Sequence, residues 1–465
     1  MMLASRQAYA WDATFEKLFE GRGIFNAGDV LENLSLNFTA PVTANHRDID
    51  LAAVTFPFVF EALSKLAESS GQRLYIYNGA SAEWVDVTRS RFKAYIQREA
   101  RSGCIEVAFV DQDQRLISRY SITLWKQAGN YIEARNPAAP IKRIRANEKS
   151  LARRQKPPQA NEHQVDAVFT WVDSSDPDWR ASFELHSHTK VADKDRFDQS
   201  DELRYSIRAV EQFAPWIKNI FVFSNCAPPS WYSASGKVSW VRHEEVIPSE
   251  YLPTFNSHSI ETFLHHIPNL SENFIYFNDD FFISDFVSPQ DFHTHYGQSV
   301  SRLEPYGAIQ YLEEICAADQ GEEWQYAALN GAKLIYERFG FRPRQIHRHA
   351  PYAFQKSVFQ QLEQEFPDAF HSTRSARFRT RGDYSVASFL YHHYALAVRS
   401  ALEANDESMI VRHTNYARFE KQKLYKNMKF FCVNDGGGSG EHAGYMQFKL
   451  RFLSKRYPFK SHAER

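Results

Sequence analysis

Residues 161–465 predict an α/β fold: a Rossmann-like, mostly parallel sheet with a helical insertion, preceded by a small N-terminal α+β unit. Three observations point that way. Apolar, β-branched runs of strand length alternate with segments of helical periodicity from Val165 onward. Several of those runs are apolar nearly throughout, as strands covered on both faces are. Asp173, Asn225, His243 and Asp279 each fall at or just past the end of such a run, the edge where open α/β sheets bind ligands.

In the first 140 residues, LYIYNG (74–79) reads as a strand ending at an Asn-Gly turn. CIEVAFVDQDQRLISRYSITLW (104–125) reads as strand character split by the polar turn Asp111–Gln114. FEALSKLAESS (60–70) spaces Phe60, Leu63, Leu66 and Ala67 along one helical face. No polar cluster converges there, so 1–140 is expected to be an accessory domain. Residues 141–160 are basic, proline-bearing and poor in large apolar side chains, and are expected to be a linker. Their Lys and Arg would also favour an anionic surface.

The catalytic candidate is 161–465. VDAVFTWV (165–172) has the length and branching of a buried strand. DELRYSIRAVEQF puts Leu203, Ile207, Val210 and Phe213 on one helical face, with Asp201 near its start and Pro215 beyond its end. NIFVFSN (219–225), VSWVRH (238–243) and NFIYFNDD (273–280) are further strands, and SHSIETFLHHI (257–267) is a helix showing Ile260, Phe263, Leu264 and Ile267 on one face. Residues 300–345 are aromatic and mixed, a lid or insertion. Helical patterning returns over 346–400, in VFQQLEQEF and VASFLYHHYALAVRSAL. NDGGGSG (434–440) follows the strand-like KFFCV.

Bulk properties narrow the class. A chain of 465 residues exceeds one ordinary core. A net charge of −1 gives no global field toward nucleic acid. Cys104, Cys226, Cys316 and Cys432 form no CxxC pair, hence neither a zinc pattern nor a disulfide framework. The N-terminus lacks a signal-peptide core. The most apolar window, Leu51–Phe60 between Asp50 and Glu61, is about half a bilayer span. The expected location is the cytoplasm, with at most peripheral contact at the inner membrane.

Asn278, Asp279 and Asp280 end one strand together. Adjacent carboxylates there suit a divalent cation bridging a diphosphate, or the orientation of an acceptor hydroxyl; acidic residues also cap turns and helices everywhere. A second acidic loop holds Asp173 and Asp176. His349, in HRHAPYAF, carries the side chain suited to general-base work near neutral pH, although lone histidines are more often structural. Arg379 and Arg381, in RFRTRGDY, suit phosphate because the guanidinium fork donates two parallel hydrogen bonds; a solvated basic patch would look the same. Asn434 and Asp435 precede three glycines whose backbone could approach a phosphate, though the Lys-Ser/Thr of a P-loop is missing.

These segments together resemble the Stealth family of sugar-phosphate transferases. VDAVFTWVDSSDP (165–177), residues 201–282, residues 349–396 and FFCVND (430–435) correspond, in order, to its four conserved blocks. The first block departs at Ser174, where the family usually has Gly, and the stretch before DELRY reads DQS (198–200) rather than RDN. The resemblance implies a nucleotide-sugar-transferase type of fold and transfer of hexose-1-phosphate from a UDP-sugar to a glycan hydroxyl, with release of UMP. It implies catalytic roles for His349, Arg379, Asp279 and Asp280. The expected donor-binding set is Asp173, Arg204, Asn225, Asn256, Arg381 and Asn434. The expected metal set, for Mg²⁺ or Mn²⁺, is Asp279, Asp280 and Asp435. The expected partners are the UDP-sugar donor and a glycan acceptor, with no nucleic acid and possible contact with a capsule-assembly complex. An ordinary metal-dependent glycosyltransferase releasing UDP and a non-catalytic glycan-binding protein are the rival readings.

Overall fold

The computed structural model describes residues 45–52, 56–79, 81–87, 104–134, 142–145, 164–187, 197, 199–234 and 236–465. The chain divides into two units, one of residues 1–160 with 455–461, the other of residues 161–454 with 462–465.

In the first unit, β1 (Asn45–Ala52), β2 (Arg73–Asn78), β3 (Glu83–Asp86), β4 (Cys104–Val110), β5 (Leu116–Ala128), β6 (Tyr131–Ala134) and β7 (Arg143–Arg145) form one sheet, in the order β3-β2-β4-β5-β6-β7 with β1 alongside β5. The helix Phe56–Ser69 buries Phe56, Phe60, Leu63 and Ala67 in a core with Leu74, Ile76, Val107, Phe109 and Ile122. Two expectations change here. The stretch 141–160 is not linker throughout, because Arg143–Arg145 pairs with β6; 146–160 lies outside the described residues. Residues 455–461 belong to this unit rather than to the catalytic one: Phe459 packs 4.9 Å from Tyr75 and 5.3 Å from Trp84. Nothing in the local sequence around Phe459 announces an aromatic partner so far back along the chain.

The second unit is centred on β8 (Val165–Thr170), β9 (Ile220–Ser224), β10 (Val238–Arg242) and β11 (Asn273–Asn278). All pair in parallel, in the order β10-β9-β8-β11. β9 is buried along its whole length, and β8 and β11 along all but their last residue, as expected when both faces are covered. The helix Glu202–Phe213 buries Leu203, Ile207, Val210 and Phe213. The chain builds outward from β8 to β10, then returns to the other side of β8 with β11. The crevice between β8 and β11 is therefore the topological switch point.

Five strands absent from the sequence expectation follow along the chain. β12 (Phe281–Ile283) directly follows Asp280. After β13 (Ser299–Arg302), β14 (Tyr352–Gln355) joins β11 antiparallel, with Tyr352 beside Tyr276. β15 (Ala401–Ala404) pairs with β13, while β16 (Ser408–Val411) and β17 (Phe430–Val433) form a small sheet with β12 in the order β12-β17-β16. Residues 346–400 are thus not helical throughout, and the expected helix 257–267 is broken. A helix runs over Ser257–Glu261 and a single tighter turn over Leu264–His266. The Thr262 hydroxyl donates to the Ser259 carbonyl at 2.7 Å, and Pro268 disfavours helical backbone at Ile267. The insertion is a helical pair, Ala308–Ala317 and Glu323–Phe339, closed by Ile309, Leu312, Ala328 and Phe389. No helix among the described residues is long and apolar enough to cross a membrane.

Candidate active site

Strand polarity gathers the site. β8 and β11 end side by side at Thr170 and Asn278, so the Asp173 loop and Asp279–Asp280 emerge at the same edge. β14 runs antiparallel to them, so its entry, bearing His349, lies at that edge too. β12 starts where β11 stops, and β17 runs antiparallel to it. Val433, at the end of β17, therefore donates its backbone N–H to the Asp280 carbonyl at 3.0 Å, which delivers Asn434. β16 lies parallel to β17 and ends opposite it, which delivers Arg412.

The Asn434 side chain bridges two of these groups. Its Nδ2 donates to Asp280 Oδ2 at 3.1 Å, and its Oδ1 accepts from Arg412 Nε at 3.0 Å and from the Gly436 N–H at 3.1 Å. A Cβ at Gly436 would stand 2.8 Å from that oxygen, which accounts for the glycine. Asp280 also faces the Cys432 thiol at 3.0 Å. Ligand atoms of Asp280, His349 and Cys432 lie within 4.8 Å of one another. The His349 ring meets Phe281 edge-on, with centroids 4.6 Å apart. Burial holds this imidazole below its ordinary pKa; the Asp280 charge works against that and Arg412 reinforces it. His349 therefore carries a neutral imidazole at neutral pH.

Asp279 accepts from Gln199 Nε2 at 2.8 Å. Burial, then the charges of Asp280 and Glu202, push its carboxyl well above the usual range. The negative cluster is balanced from below by Lys449, whose fully buried ammonium contacts Glu202 and both Asp435 oxygens, the latter at 2.8 Å. Burial would lower the Lys449 pKa, but Glu202 and Asp435 raise it above its ordinary value.

Behind β11, the Tyr276 hydroxyl lies 2.8 Å from Thr170 Oγ1, 2.8 Å from Asn278 Oδ1 and 3.2 Å from Glu261 Oε1. Glu261 is buried, and its Oε2 has no hydrogen-bond partner among the described residues. Burial raises its carboxyl to about 7 against the opposing charge of Arg379. Arg379 itself donates to Ser257 Oγ through Nε at 3.0 Å and Nη2 at 2.5 Å. A carboxyl raised from 4.5 to about 7 keeps its proton longer in the folded than in the unfolded chain. Its contribution to stability is thus full below the unfolded value and lost as pH rises through about 7. Glu261→Gln should therefore gain in melting temperature over the wild type between pH 5 and pH 8. A pH-independent difference would show that Glu261 is not held protonated.

Several expected donor-site residues are engaged elsewhere. Arg204 pairs with Glu464, Nε to Oε2 at 2.6 Å, alongside Arg208 at 2.5 Å; it braces the chain's last residues. Asn256 is fully buried as the cap of helix Ser257–Glu261, and its Nδ2 holds Asp383 at 2.9 Å and the carbonyls of Ala376 and Phe378. It fixes the loop bearing Arg379 instead of facing a ligand. Arg381 is exposed, paired with Asp319 and set over the Tyr326 ring. Asp435, expected as a metal ligand, is closed by Lys449. Asp176 caps the helix Pro177–His186, and His243 is a core residue against Phe223, lowered to about 3 by burial. Asp173 remains half-buried in the loop after β8, its N–H directed at Cys226 Sγ, next to Asn225.

Glu261, Arg412, Lys449, Glu202 and Cys432 escaped the sequence reading. Arg412 had a usable signal, since it directly follows a short apolar run just as Asp173 does.

Comparison with known proteins agrees with the placement of the first three of the four expected blocks. Family models match Stealth protein conserved region 1 at residues 163–184, conserved region 2 at 196–301 and conserved region 3 at 348–397. The capsular polysaccharide phosphotransferase SacB of Neisseria meningitidis serogroup A is 32% identical over 315 residues, covering 65% of this chain and 57% of that protein. The exopolysaccharide phosphotransferases SCO6023 and SCO6021 of Streptomyces coelicolor are 36% and 37% identical, covering 65% of this chain and 52% and 57% of their own lengths. The matched region thus spans little more than half of these relatives. Among solved structures, a galactosyltransferase LgtC complex with donor and acceptor sugar analogues aligns over 63% of this chain and 95% of its own, with TM-score 0.34 and 11% identity, a likeness too slight to carry an argument.

Proposed function

Because the chain belongs to the Stealth family, we propose that it is a phosphotransferase of capsular or exopolysaccharide assembly. In this reading it moves hexose-1-phosphate from a UDP-sugar, UDP-GlcNAc or similar, to a sugar hydroxyl and releases UMP. The observation that carries the reading is the gathering of His349, Asp279, Asp280 and Asn434 at the switch-point edge, with Arg412 beside them.

His349 takes the proton of the acceptor hydroxyl as its oxygen attacks the β-phosphorus. The bond from that phosphorus to the oxygen bridging it to UMP breaks, and the sugar keeps its own phosphate. Arg379 meets charge on the phosphoryl oxygens. Asp280 Oδ1 is buried with no hydrogen-bond partner among the described residues, and two carboxylates side by side repel. Both features fit a hard divalent cation on Asp279 and Asp280, with Asp435 outside the set. When bound, Mg²⁺ or Mn²⁺ supplies charge neutralisation for the departing diphosphate oxygen. The enzyme works on the cytoplasmic side, where nucleotide sugars are made, with at most peripheral attachment to the inner membrane.

Incubation with a panel of UDP-sugars and a short glycan acceptor, followed by mass analysis of nucleotide and glycan, tests the reading. UMP is expected, with activity suppressed by EDTA and restored by Mg²⁺. UDP as product would favour the glycosyltransferase. No turnover with any donor would favour a glycan-binding protein. Full activity in EDTA would leave Asp279 and Asp280 to act on substrate hydroxyls.

A further inference from the structure

We infer that His265, His266 and Glu363 form a zinc-type cation site, separate from the catalytic edge, that ties the turn after helix Ser257–Glu261 to the helix Lys356–Glu365. The Nε2 atoms of His265 and His266 lie 2.7 and 3.0 Å from the same oxygen, Glu363 Oε2. The three donor atoms fall within 4.8 Å of one another. Two imidazoles and a carboxylate are the donor set zinc takes in open tetrahedral sites, with water as the fourth ligand. With bonds near 2.0–2.1 Å, neighbouring ligands of a tetrahedral ion stand roughly 3.3 Å apart. The contacts at 2.7 and 3.0 Å would open by about 0.6 and about 0.3 Å to admit the ion.

The surroundings prepare the ligands. Arg374 Nη1 holds the other Glu363 oxygen at 2.5 Å, while its Nε and Nη2 donate to the Thr262 hydroxyl and carbonyl, each at 3.0 Å. The carboxylate is thereby oriented from behind, as ligating carboxylates usually are. The guanidinium's charge also tempers the affinity. Burial lowers the His265 imidazole to about 4. Burial would raise Glu363, but hydrogen bonds from His265, His266 and Arg374 hold it below the carboxylate range. His265 is buried, and the His266 side chain is 43% exposed, which leaves an approach from solvent. None of these residues has a part in the proposed transfer. The ligands lie 98 residues apart in sequence, so the ion would cross-link the segment that follows Glu261 to the chain beyond β14.

The test uses the full-length protein stripped with EDTA and titrated with Zn²⁺ by calorimetry and with Co²⁺ by absorbance. One equivalent should bind and raise the melting temperature, and the cobalt form should show d–d bands without thiolate charge transfer. His266→Ala, at a partly exposed position, and Glu363→Gln should each weaken binding by ~10²-fold or more, beyond the loss of an outer hydrogen-bond partner. No stoichiometric uptake would overturn the site. So would wild-type affinity in His266→Ala, or a thiolate band placing the ion at Cys432.

Discussion

His349→Ala is expected to lower turnover by ~10²–10⁴-fold, the range a general base supplies, with little change in nucleotide-sugar affinity. The argument rests on position and protonation together. The antiparallel entry of β14 sets His349 at the edge where β11 delivers Asp280, and burial keeps the ring neutral. A neutral imidazole accepts a proton, and the nearby carboxylate steadies the imidazolium that results. Removing the ring removes that acceptor without touching a group expected to hold the nucleotide. Initial rates with varied donor and a short acceptor give kcat, and calorimetry with the UDP-sugar gives affinity. His349→Gln, which retains most of the volume beside Phe281, separates lost chemistry from lost packing. Turnover near the wild-type level in either variant would remove His349 from the mechanism.

Much of the sheet was legible because burial on both faces leaves its mark on sequence. β8, β9 and β11 are largely apolar runs, broken in β8 only by Asp166, and the edge where they end follows from fold class alone. β14 was not legible: four residues, YAFQ, carry no period of their own, and the strand exists because β11 offers it an open edge. The same limit governed the site. His349, Arg379 and Asn434 stood out through resemblance, while charged side chains chosen by residue type alone went astray. Arg204 suits a phosphate by chemistry, but Glu464, 260 residues away, holds its fork. Lys449 is the converse case. Within AGYMQFKLRFLSKR it reads as a solvated lysine, yet it is fully buried beneath the carboxylates. Long-range partners decided both cases, and local pattern has no access to them.

Arg379→Lys is expected to impair the transfer strongly, and the wild-type product is expected to carry phosphorus. The two outcomes belong together, because both follow from attack at the β-phosphorus. There the sugar–phosphate bond of the donor survives, so its anomeric configuration passes unchanged into the product and a phosphodiester signal appears in phosphorus NMR. Charge develops on the phosphoryl oxygens, and a guanidinium can meet two of them at once, whereas an ammonium is a point charge. The Arg379 side chain is anchored: Nε and Nη2 both donate to Ser257 Oγ at the start of the helix that bears Glu261. Asn256, capping that helix, binds the 376–383 loop through Asp383 and two carbonyls, so loop and helix are held together. Lysine would keep the charge but not that two-point anchorage, so kcat should fall even where the fold is intact. Glycosyl transfer would instead break the anomeric bond and release UDP. A product free of phosphorus, or an Arg379→Lys variant as fast as the wild type, would overturn the role assigned to this arginine; the first would overturn the phosphotransferase reading as well.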